Sequence, residues 1–211
     1  MMNHDGSEID PIEVGELRLR SESGPASATR PSLSDGVFTL TAAAKADMFL
    51  DPAGFGPAPT AERFVDSVEG DFQLRACVEV DFVADFDSGV LLGYIDDHNW
   101  FKICAELDPD GTPRVVSVVT RNGASDDTNS WPIVGSGIHL RISRTGSAFA
   151  MHASSDGSLW SMIRYFSMGT PAPDVVRVGI LAQSPSGEGT TARFSQLAFT
   201  RTALDGVRTG A

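Results

Sequence analysis

The chain has little of what usually betrays a chemistry. Its 211 residues include two cysteines, Cys77 and Cys104, and four histidines, His4, His98, His139 and His152. Neither type falls in a metal-ligand spacing such as Cys-x-x-Cys, so no metal and no cofactor is expected. No histidine is spaced to serve a nucleophile. Both cysteines lie inside expected strands, where a thiol packs as a small apolar group, and free thiols are expected. No stretch approaches the roughly 18 apolar residues of a membrane span. Residues 1–10 carry neither a basic region nor an apolar run, so the expected location is cytoplasmic. No long amphipathic helix is evident; residues 61–65 read at most as one helical turn. Positive charge is scarce as well. Sixteen basic residues against 28 acidic ones leave a net charge of −12, a field that repels phosphate backbones and anionic lipid and disfavours nucleic-acid and membrane partners.

What is present is strand-forming. Hydrophobic residues make up 41% of the chain, with 12 phenylalanines, and a chain of this length buries roughly 70% of its unfolded surface. Apolar–polar alternation marks strands at 16–20, 37–41, 72–80, 90–94, 100–107, 114–121, 140–144, 149–153, 160–166, 175–182 and 193–200. Asp108-Pro109-Asp110-Gly111, Thr145-Gly146 and Ser155-Asp156-Gly157 have the chemistry of tight turns between them. Residues 21–35 and 51–59 are loops, rich in Pro, Gly and Ser, and 122–130 is a polar loop. The expected fold is all-β, a two-sheet antiparallel jelly-roll sandwich. One domain spans 13–203, between a flexible N-terminus (1–12) and a flexible C-terminus (204–211).

Residues 86–121 carry the most information. In the strand 100–107, Trp100, Lys102, Cys104 and Glu106 alternate with Phe101, Ile103, Ala105 and Leu107, so one face is polar and the other fills the interior. A Trp ring offers a flat apolar surface on which a sugar ring can stack, while a carboxylate and an ammonium bind hydroxyls. The bland alternative is a surface ion pair between Lys102 and Glu106 shielded by Trp100. If the hairpin closes at 108–111, Arg121 lies near the Trp100 end of its partner, with Trp131 on the same rim; otherwise Arg121 neutralises Asp126 or Asp127. Ser154-x-Asp156-Gly157-x-x-Trp160 reads as a turn clasp in preference to a sugar platform. Glycoside hydrolysis needs two carboxyl groups across the scissile bond. Glu79-Val80-Asp81 begins such a pattern without a third acid, and the only acid near Glu106 on its strand is Asp108, in the turn. That turn lacks a twelfth-position ligand and does not read as a calcium loop.

These segments resemble a known family. Asp87-x-Gly89, Ile95-Asp96-Asp97-x-Asn99-Trp100-x-Lys102-x-x-x-Glu106, Val118-Val119-Thr120-Arg121 and Val178-Gly179-x-x-Ala182-Gln183-Ser184-Pro185 occur in the order of a domain-of-unknown-function family, DUF1349-like. It belongs to the concanavalin A-like lectin/glucanase superfamily, and its members are sometimes labelled "regulation of enolase" proteins. The resemblance covers about residues 37–200. Asp47-Met48-Phe49 resembles the family's Asp-Phe-Trp segment, and Gln183 stands where the family often has Cys. The resemblance implies a jelly roll with a concave, partly polar face, and related modules accompany xylosidase-type catalytic domains.

The expectation is therefore a carbohydrate-binding-like protein with a possible saccharide ligand on the concave face. Its site would hold Trp100, Lys102, Glu106 and Arg121, with Asp87 and Gln183 as additions. The alternatives are a glycoside-processing hydrolase using Glu106, or a protein-interaction module without a small ligand.

Overall fold

A computed structural model describes residues 11–22, 31–54 and 59–211. The N-terminal expectation, apart from residues 11 and 12, lies outside these residues, as do residues 23–30 and 55–58 of the two expected loops. In chain order the strands are β1 (Ile12–Val14), β2 (Leu17–Glu22), β3 (Ser32–Ser34), β4 (Val37–Thr41), β5 (Arg63–Glu69), β6 (Phe72–Val80), β7 (Ser88–Asp96) and β8 (Asn99–Leu107). They continue with β9 (Pro113–Arg121), β10 (Ala124–Pro132), β11 (Gly137–Thr145), β12 (Ala148–Ser154), β13 (Ser161–Ser167), β14 (Val175–Gln183) and β15 (Thr191–Thr200). All pairings are antiparallel. One sheet runs β1-β2-β5-β14-β7-β8-β9-β10 and the other β13-β12-β11-β6-β15-β4-β3. This is the jelly-roll sandwich that the alternation implied. Among the described residues no helix is long and apolar enough to cross a membrane.

Side-chain parity in the central hairpins decides which residues meet. The interior-facing Phe101 of β8 packs its ring 4.8 Å from Phe149 and 5.1 Å from Phe166 of the opposite sheet. Gly93 lies opposite Phe101 in the register, and a Cβ there would come within 2.1 Å of that ring. The absent side chain of Gly93 is the space that the Phe101 ring fills. Burying one such phenyl contributes about 1.5–3 kcal/mol.

Two local expectations are corrected. Residues 61–65 lead into strand β5 and form no helical turn, because Phe64, Val65 and Val68 are needed as sheet-core residues. The polar loop expected at 122–130 is strand β10, paired with β9 from Ala124↔Arg121 onward. Its polarity reflects its place at the sheet edge, where charged side chains discourage further pairing. Residues 204–211 lie against the outer face of the seven-stranded sheet. There Arg141 donates to the Gly210 carbonyl at 2.7 Å, the His152 ring nitrogen Nε2 lies 2.7 Å from the Val207 carbonyl, and Leu204 is buried.

Candidate functional site

Register builds the site on the outer face of the eight-stranded sheet. Lys102 pairs with Val118, which pairs with Asp127; Cys104 pairs with Val116, which pairs with Asn129; Glu106 pairs with Arg114. Period-two geometry points all of these away from the interior. On the other side of β8, Ser88 of β7 stands between Glu106 and Gln183 of β14.

A strap formed by residues 45–50 crosses this face. Just past the end of β14 the Ser184 amide donates to the Ala46 carbonyl at 2.9 Å. At the β10 edge the Ser125 amide donates to the Leu50 carbonyl at 2.9 Å, and the Leu50 amide donates to Ser125 Oγ at 3.0 Å. Thr60 holds the middle: its amide donates to the Asp47 carbonyl and its hydroxyl accepts from the Asp47 amide.

Between strap, sheet and the 83–87 turn lies a cavity of about 440 Å³, within the range of small-molecule sites. Asp47, Lys102, Glu106, Asp127, Asn129 and Gln183 supply its polar walls, and Phe49, Phe86, Val116 and Val118 its apolar ones. Lys102 is buried and donates from Nζ to Gln183 Oε1 at 2.8 Å. Glu106 is only 9% exposed and makes no hydrogen bond to a described residue. Desolvation pushes its carboxyl up to about 7; Lys102 opposes this, while Asp47, Asp127 and Asp108 add to it. Asp47 is also raised, by burial first, with Lys102 and the Met48 amide opposing. Its Oδ1 is buried and has no hydrogen-bond partner among the described residues. Asp108, by contrast, is held by Arg114 at 3.2 Å and by the Asn129 amide at 2.6 Å.

The sequence-derived residues divide. Lys102, Glu106 and Gln183 meet in the cavity, but with Lys102 bonded to Gln183 and not ion-paired to Glu106. Trp100 shares their face yet is fully buried and does not line the cavity; it serves as floor beneath the strap, with the Lys102 ammonium 5.9 Å from its ring. Arg121 has the opposite parity on β9, and its guanidinium donates to the Ser167 carbonyl at 2.8 and 3.0 Å, tying the two sheets together. Trp131 is not a cavity wall either. Asp87 is a clasp behind the wall: Oδ2 accepts from the Val83 and Ala84 amides, both at 2.9 Å, and Oδ1 accepts from the Ser184 hydroxyl at 2.6 Å. The Ser154–Trp160 segment is a clasp too, with Asp156 Oδ1 accepting the Ser158 and Leu159 amides and Trp160 stacked on Arg141.

Sequence reasoning missed Asp47, Phe49, Phe86, Asp127 and Asn129 as site residues. Asp47 and Phe49 stood in a segment noted only for resemblance. Phe86 had no signal at all, because its role depends on backbone shape. It adopts φ of 68°, a left-handed conformation costly for a bulky residue. Its amide donates to the Leu107 carbonyl at 2.8 Å, and the ring, 39% exposed, stands at the cavity rim.

Comparison with known proteins agrees with the architecture. The family described as "Protein of unknown function (DUF1349)" matches residues 25–202. A search of curated proteins returns no match. A functionally unknown protein from Saccharomyces cerevisiae superposes with a TM-score of 0.75 at 25% identity, over 89% of this chain and 97% of its own. The GH43 BlXynB protein from Bacillus licheniformis superposes with a TM-score of 0.62 at 14% identity, over 79% of this chain and 33% of its own. For xylan beta-1,4-xylosidase from Bacillus halodurans the values are 0.60 and 12%, over 90% and 40%. The last two likenesses concern the fold alone.

Proposed function

The chain belongs to the DUF1349 family, and from that premise we propose that it binds a saccharide in the cavity under the 45–50 strap, without catalysing a reaction on it. One observation carries this reading. The Phe86 ring is held half-exposed at the rim, in a backbone conformation that has to be stabilised by its surroundings, beside a wall of carboxylate, amide and ammonium groups. A sugar presents an apolar C–H face and a ring of hydroxyls, and this arrangement offers a partner to each. Phe49 supplies a second apolar wall. Glu106, Asp47 and Asn129 supply hydrogen-bonding atoms, and Lys102 with Gln183 forms a fixed polar pair at the base. The fold's kinship with modules of carbohydrate-active GH43 chains supports the reading. A cytoplasmic setting suits the two unpaired thiols, Cys77 and Cys104.

Screening a glycan panel, followed by titration of the hits, tests the proposal. Phe86→Ala is expected to weaken binding by about tenfold, the effect of losing one stacked ring (~1–1.5 kcal/mol). A panel without a single hit removes the proposal.

A hydrolytic reading is favoured by one feature: a carboxyl raised to about 7 in a cavity that holds other carboxylates, the condition of a general acid at neutral pH. Turnover of aryl glycosides that disappears in Glu106→Gln would establish it. An inert parent protein would eliminate it.

A further inference from the structure

The cavity's charge does not balance. Among the described residues four carboxylates line it, those of Asp47, Glu106, Asp108 and Asp127, against one cation, Lys102. Asp108 is neutralised by Arg114, which also bonds Asp110 at 2.8 Å. Lys102 spends a hydrogen bond on the Gln183 carbonyl oxygen. Among the described residues, none of Asp47, Glu106 and Asp127 has a cation within 4 Å. Nor does any described residue hydrogen-bond to the Glu106 carboxylate, although it is nine-tenths buried and faces the cavity. Leaving a buried carboxylate unpaired costs several kcal/mol unless a ligand meets it.

A neutral hydroxyl can donate one hydrogen bond to such a group, but it cannot supply charge. An ammonium supplies three donors and the missing positive charge together. The described residues provide no group of three or more metal-binding side chains, so a compact metal ion is not the natural counterpart. We infer that the ligand of this cavity is an amino sugar, a saccharide with an unacetylated ammonium group that lies between Glu106 and Asp47 while its ring rests on Phe86.

The inference rests on the saccharide reading and adds its charge. Glu106 is faced by Lys102 on its own strand, Arg114 on β9, Asp127 on β10, Asp108 in the following turn and Asp47 on the strap. Of these, only Lys102 opposes the accumulation of negative charge without being tied to an acid. Binding of an ammonium should therefore strengthen as Glu106 ionises, with rising pH through its range near 7, for as long as the amine keeps its proton.

The test is calorimetric titration of the full chain with three probes near neutral pH: a glucosamine oligomer, the same oligomer fully N-acetylated, and a cello-oligosaccharide of equal length. The glucosamine oligomer is expected to bind at least about tenfold tighter than either neutral probe, consistent with one buried charge pair. Glu106→Gln should remove that preference while leaving the thermal midpoint unchanged or higher, and Asp47→Asn should reduce it independently. Equal binding of all three probes, or tighter binding of a neutral one, overturns the inference and leaves the saccharide reading standing. Failure of all three probes to bind overturns the inference, and the saccharide reading falls with it only when the glycan panel also returns no hit. A preference that survives both substitutions overturns the placement of the ammonium.

Discussion

Glu106 and Phe86 each hold a position that is unfavourable for stability. The Glu106 carboxyl is raised from its ordinary value of 4.5 to about 7 by desolvation. Between those values the native chain holds a proton that the unfolded chain has released, so stability falls as pH rises through this window. Glu106→Gln should therefore stabilise the protein at neutral and higher pH by up to about 3 kcal/mol and make no difference below pH of about 4, as denaturant melts across pH would show. Phe86→Gly should relieve the left-handed strain, keeping or raising stability by about 1 kcal/mol while weakening saccharide binding. Loss of stability in that variant would mean that the ring is a packing residue and no platform. Lys102, Glu106 and Gln183 were legible because alternation fixes which face a strand residue takes. For Trp100, alternation specifies a face but not what lies on top of it: the residue is fully buried, and the strap that crosses this face comes from about fifty residues upstream. Arg121 was placed with them on nearness along β9; its odd parity relative to Val118 and Thr120 puts it on the opposite face.

Elements were easiest to read where they are buried. The hairpins β8–β9 and β11–β12 follow the turn chemistry at 108–111 and 145–146, and their observed registers run through those turns. Edge elements were harder. Strand β10 has no apolar alternation to reveal it, and β5 pairs into the sheet interior from a segment short enough to pass for a turn. The close approach of β5 and β14 is equally invisible in composition: a Cβ on Gly179 would lie 1.8 Å from the Phe64 carbonyl oxygen. Gly179→Ala is expected to cost about 3 kcal/mol or more, because backbone must move to admit the methyl; an unchanged urea midpoint would contradict that packing. The Asp87 clasp joins the 83–87 turn to the end of β14. Asp87→Ala, which strands two amides and the Ser184 hydroxyl, should lower stability by roughly 2–3 kcal/mol and weaken ligand binding together, since it loosens the wall that carries Phe86. Binding loss without loss of stability would instead put Asp87 in direct contact with ligand.

Across the molecule the two outer faces are finished differently. The eight-stranded sheet is crossed by a strap that leaves a cavity. The seven-stranded sheet is covered by residues 204–211, under which His152 and Arg141 are buried. Desolvation holds the His152 imidazole below its ordinary range, with the Val207 carbonyl opposing and Arg141 assisting, and desolvation lowers Arg141 to about 10, assisted by Arg75. Because the unfolded chain takes up the histidine proton first, this group withdraws stability as pH falls below about 6.5. Removing residues 204–211 should lower stability by roughly 2–3 kcal/mol and return the His152 titration, followed by NMR, toward the ordinary histidine value. An unshifted titration would show that the tail does not cover that face.

Alternating side chains, turn residues and a surplus of acid were enough to establish a two-sheet sandwich and to set Lys102 and Glu106 on one face, since those properties act over neighbouring residues. What stands above that face was decided by contacts between distant segments. The strap at 45–50, the edge strand at 124–132 and the left-handed turn at Phe86 converge through hydrogen bonds between segments far apart in the chain, which local alternation does not encode. Their convergence turns a polar stripe into an acid-lined cavity.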